Sequence, residues 1–396
     1  MFQGKYNASE AVLRMKYKSK SGFNDPVAYR INKKIHCVDK KLWTIYPTYD
    51  FCHPICDSLE GIGLSLCSEE FSSHRELYEW LLKELDLPVP DQREFPRLKF
   101  PHNITSKRGV AQIRDAITGD DDPRLLTVAG LRRRGIPASV IKSFVCAPSD
   151  ELQLNHLHDL TRQHCNLLSP RRIAVINPLK CHVNNFEEFK EQRLAYEDAM
   201  LDSVGDIVLS VPDHPMRPDE NHRDFILREN FFINRFDFVN TNEATQHYLS
   251  LSSAVHLRYA STLMSIKSVR VNSDGIVDLL EVNLEATAKR AKKIKVITWL
   301  SDTHPATLSI FDNILANAEP NDEEPLSKQI NPRSWMKCPI QIEKSLVPEL
   351  KLENEFTFGQ TFQLERFGYV TVDPSASEMN LQLNMTCMLK VHPDFL

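Results

Sequence analysis

Pro101–Val110 reads PHNITSKRGV. Its Ser-Lys-Arg turn follows an extended, proline-punctuated stretch, LPVPDQREFPRLKFP over Leu87–Pro101. A basic turn in that position is either a phosphate clamp or a solvated loop. The choice decides what kind of fold surrounds it. The chain has only 12 glycines in 396 residues, below the usual share of roughly 7%. It carries neither G-x-G-x-x-G nor a P-loop, so a nucleotide site here must be built by other means.

Working outward, charge is unevenly distributed. The net charge is −5, yet Lys99–Arg114 carries four basic residues and no acid, Arg132–Arg134 is a run of three, and AKRAKKIK (Ala288–Lys295) holds five cations. A globally acidic chain can still grip phosphates through such patches, although a charge run by itself is usually a solvated face. Composition is globular, with 42% hydrophobic and 26% charged residues. The length predicts two to three domains. No apolar run is long enough for a transmembrane helix, and the first residues, MFQGKYNASEAVLRMK, lack the apolar core of a secretory signal. Nine scattered cysteines in a large chain read as reduced, intracellular thiols. Cys52 and Cys56 flank His53, but no second pair follows at zinc spacing, so no metal site is expected.

Local patterns divide the chain. LWTIYP (Leu42–Pro47) reads as a buried strand. HRELYEWLLKEL (His74–Leu85) reads as an amphipathic helix opened by a Ser73/Glu76 capping box. DDPRLLTVAGLRRRG is helical and ends at Gly135, and Pro137 opens the next helix. From about Arg172, short β-branched stretches such as DIVLSV, GIVDLLEVNL and ATLSIFD, spaced by turn residues, predict an all-β region of barrels or sandwiches. Pro320–Ser334 reads as an exposed loop.

Eight stretches in order then carry a resemblance. They are YPTYDFCHPICDSLEGI (Tyr46–Ile62), EFSSHRELYEW (Glu70–Trp80), QREFPRL (Gln92–Leu98), ITSKR (Ile104–Arg108), DDPRLLTVAGLRRRG (Asp121–Gly135), SPRRIAVINP (Ser169–Pro178), LRYA (Leu257–Ala260) and FQLERFGYVTVD (Phe362–Asp373). Together they resemble the glutaminyl-tRNA synthetases, class I aminoacyl-tRNA synthetases, from about Ala8 to Lys390. Glutamyl-tRNA synthetase is the nearest rival; HRELYEW, QREFPRL and FQLERFGY favour the glutaminyl side.

The resemblance implies a multidomain α/β plus all-β fold. Residues 1–106 would be the C-terminal part of a Rossmann-type catalytic domain, 107–170 a helical connecting domain, and 171–396 two anticodon-binding β-barrels. It implies an ATP-dependent aminoacyl-tRNA ligase of translation, with Mg as the ATP counter-ion, glutamine and tRNA(Gln) as partners, and a cytoplasmic location. Neither membrane nor DNA is implied. TSKR corresponds to the second class I signature. Lys107 would meet the ATP phosphates as a point charge and Ser106 would donate a hydrogen bond. Arg97 and Leu98 resemble the pair beside the adenine. Tyr49 and His53 resemble the pair that reads the glutamine amide, a task that needs an oriented donor and acceptor. Arg171, Gln363 and Arg366 match positions that contact anticodon bases, where guanidinium and amide groups suit exposed base edges. Taken without the resemblance, Tyr49/His53 is a half-buried turn, Lys107 a solvated cation, and each arginine a surface partner for an acid.

Departures accompany the match. The family's first half of the nucleotide domain carries a HIGH-type signature, and no H-x-G-H occurs in these residues. The family's T-H-S-L-C-T reads Gly63–Ser68 here, Gly109 and Val110 cut short the basic run after Lys107, and Tyr248 stands where an anticodon-contacting arginine is common. These departures set two expectations beside each other. In one, the chain supplies the signature-loop and anticodon-binding parts of a ligase, completed by an N-terminal catalytic half, in trans if the gene is split. In the other, it is a catalytically inactive, synthetase-like tRNA-binding protein.

Overall fold

The computed structural model describes all residues except 2–3, 20–23, 36, 39, 41, 97, 148–152, 196–198, 246, 288–292, 353–354, 357–358, 378 and 390–396. The chain divides into two compact units, Met1–Leu98 and Lys99–Leu396. No described helix is long and apolar enough to cross a membrane.

The first unit opens with a three-stranded antiparallel sheet of β1 (Val12–Arg14), β2 (Val27–Ile35) and β3 (Leu42–Pro47). Helix α1 (Tyr49–Leu59) follows. Strand β4 (Leu64–Ser68), helix α2 (Arg75–Glu84) and strand β5 (Asp91–Phe95) then form a crossover in which β4 and β5 pair in parallel. The apolar face of α2 explains its docking. Leu77 and Leu81 join Met15, Tyr17 and Ala28 in one core, with Phe51, Ile55 and Trp80 packed against it. Tyr17 and Trp80 lie 4.6 Å apart between ring centroids.

Two local expectations need correction. LWTIYP is a strand, but Trp43 is 48% exposed, because β3 pairs only with β2 and forms the edge of its sheet. The Ser73/Glu76 capping box does not form. Ser73 lies inside a 3-10 turn, Glu69–His74, that runs directly into α2, and the N-cap is His74 with no side-chain cap. A capping serine needs extended backbone, which a residue already in a turn does not have.

The second unit begins with four short helices, α3 (Lys107–Gln112), α4 (Val128–Arg133), α5 (Ala138–Val145) and α6 (Leu154–Leu168). Gly135 ends α4 as expected, with φ +90°; a Cβ there would stand 2.5 Å from Thr386 Oγ1, so both backbone and packing demand glycine. Pro137 is the N-cap of α5. The β-rich region holds two seven-stranded sheets. One runs Val296–Ile297, Val255–Leu257, Thr262–Val271, Val277–Ala286, Pro178–Val183, Asn230–Asn234, Trp299–Leu300. The other runs Arg171–Arg172, Thr361–Leu364, Gly368–Val372, Leu381–Met388, Thr303–Phe311, Trp335–Glu343, Ala174–Ile176. In neither does the strand pairing close the sheet into a barrel. A three-stranded sheet, Ala199–Leu201 with Ile207–Pro212 and His222–Leu227, packs into the first sheet's core, where Trp299 meets Phe225 and Phe231.

The run of three arginines is solvated only at Arg132; Arg133 and Arg134 are partly buried. Arg133 donates to both oxygens of Asp373 (2.9 and 3.1 Å) and its carbonyl accepts from Asn384 (3.1 Å), which ties α4 to the second sheet. Burial alone would raise the Asp373 pKa, but hydrogen bonds from Arg133, Ser375 and Asn384 pull it down to about 2. A carboxylate depressed in the folded state stabilises above its unfolded pKa, near 3.9, and loses that contribution as pH falls towards 2. Acid titration followed by circular dichroism is therefore expected to show destabilisation on the order of 2 kcal/mol between pH ~4 and ~2. Asp373→Asn is expected to remove most of that pH dependence.

Candidate active site and nucleic-acid interface

Helix α1 builds the first cluster. Thr48 Nα and Oγ1 donate to Ala28 O and Val27 O, which seats the helix start on β2. Tyr49, His53 and Asp57 then follow at four-residue spacing on one face. The Tyr49 and His53 rings stack at 4.7 Å between centroids, 18° from parallel. The two residues are thus neighbours in space. His53 Nε2 lies 2.9 Å from Asp57 Oδ2 and 3.2 Å from Ser65 Oγ. Tyr78 donates its hydroxyl to the same Asp57 oxygen at 3.1 Å, and burial followed by the Asp57 charge pushes the Tyr78 phenol well up. His74 pairs with Asp50 at 2.8 Å.

These groups border a small pocket that also touches Phe71, Cys67 and Gln92. Gln92 is 8% exposed and donates to Cys67 Sγ at 3.0 Å. Its carbonyl oxygen is buried without a partner, an arrangement that costs energy unless something donates to it. Sequence reading passed over Asp57, Tyr78 and Gln92. The four-residue spacing to His53 was a usable signal for Asp57. Gln92 had none, because only the parallel pairing of β4 and β5 brings it beside Cys67.

Ser106 and Lys107 lie in the second unit. Ser106 is the N-cap of α3 and its hydroxyl accepts from Gly109 N at 3.0 Å. Its own O–H stays free to donate. Lys107 is exposed, and among the described residues it makes no ion pair. A free cation beside a free donor fits a phosphate-bearing ligand. Gly109 has a packing reason: a Cβ there would lie 2.7 Å from Ile104 Cγ2, so a larger residue would force a neighbour to shift. Leu98 is half-buried in the first unit. Arg97 lies outside the described residues, as does most of AKRAKKIK.

The β-region gathers the other predicted residues. Arg171 and Gln363, 192 positions apart, are direct register partners on parallel strands. Arg366 sits in the turn that follows, at φ +74°, a left-handed conformation that a non-glycine residue adopts only when held. Asp237 holds it through two bonds of 2.6 and 2.8 Å, and Phe236 lies beneath its guanidinium. Asp237 is fully buried and also takes Lys295 at 3.4 Å. Arg171 donates to Asn166 Oδ1 at 2.7 Å and lies over Tyr369; Gln363 donates to the Tyr369 hydroxyl at 3.2 Å. All three line one open pocket of about 420 Å³ with Arg258, Thr298 and Glu365. Cations on a partly apolar wall suit a planar, polar ligand such as an unstacked base. Tyr248 lies against Lys295 Nζ, 4.9 Å from its ring centroid. It lines a neighbouring pocket with Phe236 and Phe238.

Comparison with known proteins divides the chain differently, with the first match running past Leu98 into the second unit. Residues 1–162 match the catalytic domain of tRNA synthetases class I (E and Q). Residues 169–285 and 296–373 match two anti-codon binding domains of the same family. Among curated proteins, the chain is 31% identical to the glutamine–tRNA ligase of Bos taurus over 99% of its own length and 49% of that protein. It is 31% identical to the glutamine–tRNA ligase of Buchnera aphidicola subsp. Baizongia pistaciae, covering 98% of the chain and 70% of the relative. For that of Proteus mirabilis the figures are 32%, 98% and 69%. The chain thus spans about half of the cattle protein and about seven-tenths of the bacterial ones.

Proposed function

Since the chain belongs to the class I tRNA synthetases of the glutamate and glutamine type, we propose that it acts in the ATP-dependent attachment of glutamine to tRNA(Gln). Lys107 and Ser106 would meet the phosphates of ATP, with Mg as its counter-ion. Tyr49 and His53 would read the side-chain amide. Arg171, Gln363 and Arg366 would read anticodon bases. The observation that carries the reading is the shared pocket of the last three, assembled from strands and a turn far apart in sequence.

Glutamine is favoured over glutamate by charge. Among the described residues no lysine or arginine lines the first pocket, while Asp50 borders it and Asp57 stands behind His53. A substrate carboxylate would meet only histidines already paired with acids there. The catalytic sheet also bears on partners. Leu64, Leu66 and Phe95 are 48%, 63% and 52% exposed on β4 and β5, and parallel sheets are normally covered on both faces. That supports a further catalytic segment over this face, in cis or as a separate N-terminal half. All nine cysteines are free, in keeping with a cytoplasmic setting.

The test is binding of labelled tRNA(Gln) to the full chain at two salt concentrations, with anticodon-substituted transcripts as competitors. Affinity is expected to fall steeply with salt. Gln363→Ala is expected to weaken the cognate tRNA about 10- to 100-fold and to relax the anticodon preference. Equal binding of all transcripts by the unsubstituted chain would overturn the anticodon reading.

A further inference from the structure

Asp57 has so far entered only as a charge standing behind His53. Its carboxylate is 18% exposed and takes two donors on one oxygen, His53 Nε2 at 2.9 Å and the Tyr78 hydroxyl at 3.1 Å. Among the described residues His53 is its only ion-pair partner. His53 and Tyr78 both line the pocket, with their rings 5.5 Å apart at 62°. Asp57 therefore stands directly behind two wall residues and acts on a pocket occupant through them.

Two consequences follow from elementary chemistry. His53 Nε2 faces Asp57 Oδ2 at 2.9 Å and Ser65 Oγ at 3.2 Å; the carboxylate can only accept, so the nearer contact is a hydrogen bond when the proton is on Nε2, with Ser65 as a second acceptor. In the neutral ring, Nδ1 is then a lone-pair acceptor. An amide –NH2 can donate to such an acceptor and to the unpartnered Gln92 oxygen; a carboxylate cannot. The Asp57 charge also sits one side chain away from the occupant, in a partly buried place where like charges repel more than in water. Both effects disfavour an acid and spare an amide.

We infer that Asp57 is a positioning residue that sets the side-chain specificity of this pocket, fixing the His53 tautomer and supplying the charge that rejects a substrate carboxylate. The inference rests on the reading of the pocket as a glutamine-amide site, and the experiment separates the two.

Glutamine and glutamate would be titrated against the full chain by saturation-transfer NMR, which reads millimolar affinities. The unsubstituted chain is expected to bind glutamine and to disfavour glutamate. Asp57→Asn is expected to lower the preference for glutamine about 30- to 100-fold, the effect of a like charge roughly 6 Å away at intermediate dielectric. Tyr78→Phe, which keeps the charge, is expected to weaken both ligands together and to leave their ratio intact. A merely structural role for Asp57 would also weaken both alike, so an unchanged ratio in Asp57→Asn overturns the inference while the amide site stands. If neither amino acid binds the unsubstituted chain, the amide site falls and Asp57 with it. One measurement needs no variant: the γ-methyl ester of glutamate, neutral but without amide hydrogens, is expected to bind better than glutamate. Weaker binding of the ester would mean that charge is not what the pocket rejects.

Discussion

Replacing Glu343 by alanine is expected to destabilise the second unit by about 3–5 kcal/mol, the cost of leaving buried charges unpaired. Glu343 is 2% exposed and takes Arg223 through Nε at 2.7 Å and Nη2 at 3.2 Å. The backbone N–H of Ile173 donates to it as well. Arg223 lies on the three-stranded sheet and Glu343 on the second seven-stranded sheet, so the pair joins two elements that share no strand. Next to it, the fully buried Arg172 spans Asp213, at 2.8 Å, and Glu349. Removing Glu343 strands the Arg223 guanidinium and the Ile173 N–H together. Denaturant unfolding checks the figure: the midpoint should fall with little change in m. Glu343→Gln keeps an acceptor for Ile173 and should cost less. A loss below about 1 kcal/mol on Glu343→Ala would show that the contacts Arg223 already makes, Nη1 to Pro212 O at 3.0 Å and to Asp213 at 3.7 Å, suffice to hold its charge.

Lys107→Ala is the second large effect. Charge supplied to a leaving phosphate group in a positioned site is worth about 10²–10³ in rate. ATP–pyrophosphate exchange, run with glutamine, tRNA(Gln) and the N-terminal catalytic segment that completes the site, is expected to fall by that factor. The fold should not change, because Lys107 is exposed and the turn is held by Ser106, Gly109 and Ile104 instead. Lys107→Arg keeps the charge but not the point-like ammonium, so partial activity is expected. Equal exchange by Lys107→Ala and the unsubstituted chain would return PHNITSKRGV to the status of a solvated turn.

Much of the architecture was legible in residues because it is written locally. Periodicity placed α2 within a few positions, and glycine and proline punctuation placed the end of α4 and the start of α5, since helix ends depend on nearest neighbours. Alternating β-branched stretches announced the β-rich region. Motif order announced the family, and with it the Tyr49/His53 pair, whose meeting needs only one turn of helix.

What the sequence could not supply is everything set by contacts across long separations. Local pattern read Ser73 as a cap and LWTIYP as buried, but the 3-10 turn ahead of α2 and the edge position of β3 overrode both. The arginine run looked like a wet surface, yet Arg133 is bound to Asp373, 240 residues away. Arg171 beside Gln363, Arg366 held on Asp237, and Asp57 shared by His53 and Tyr78 are likewise products of strand register and helix packing. A single sequence records which donors and acceptors exist. Which of them meet is decided when the sheets and helices close around them, because burying a polar group is tolerable only where a partner is already in place.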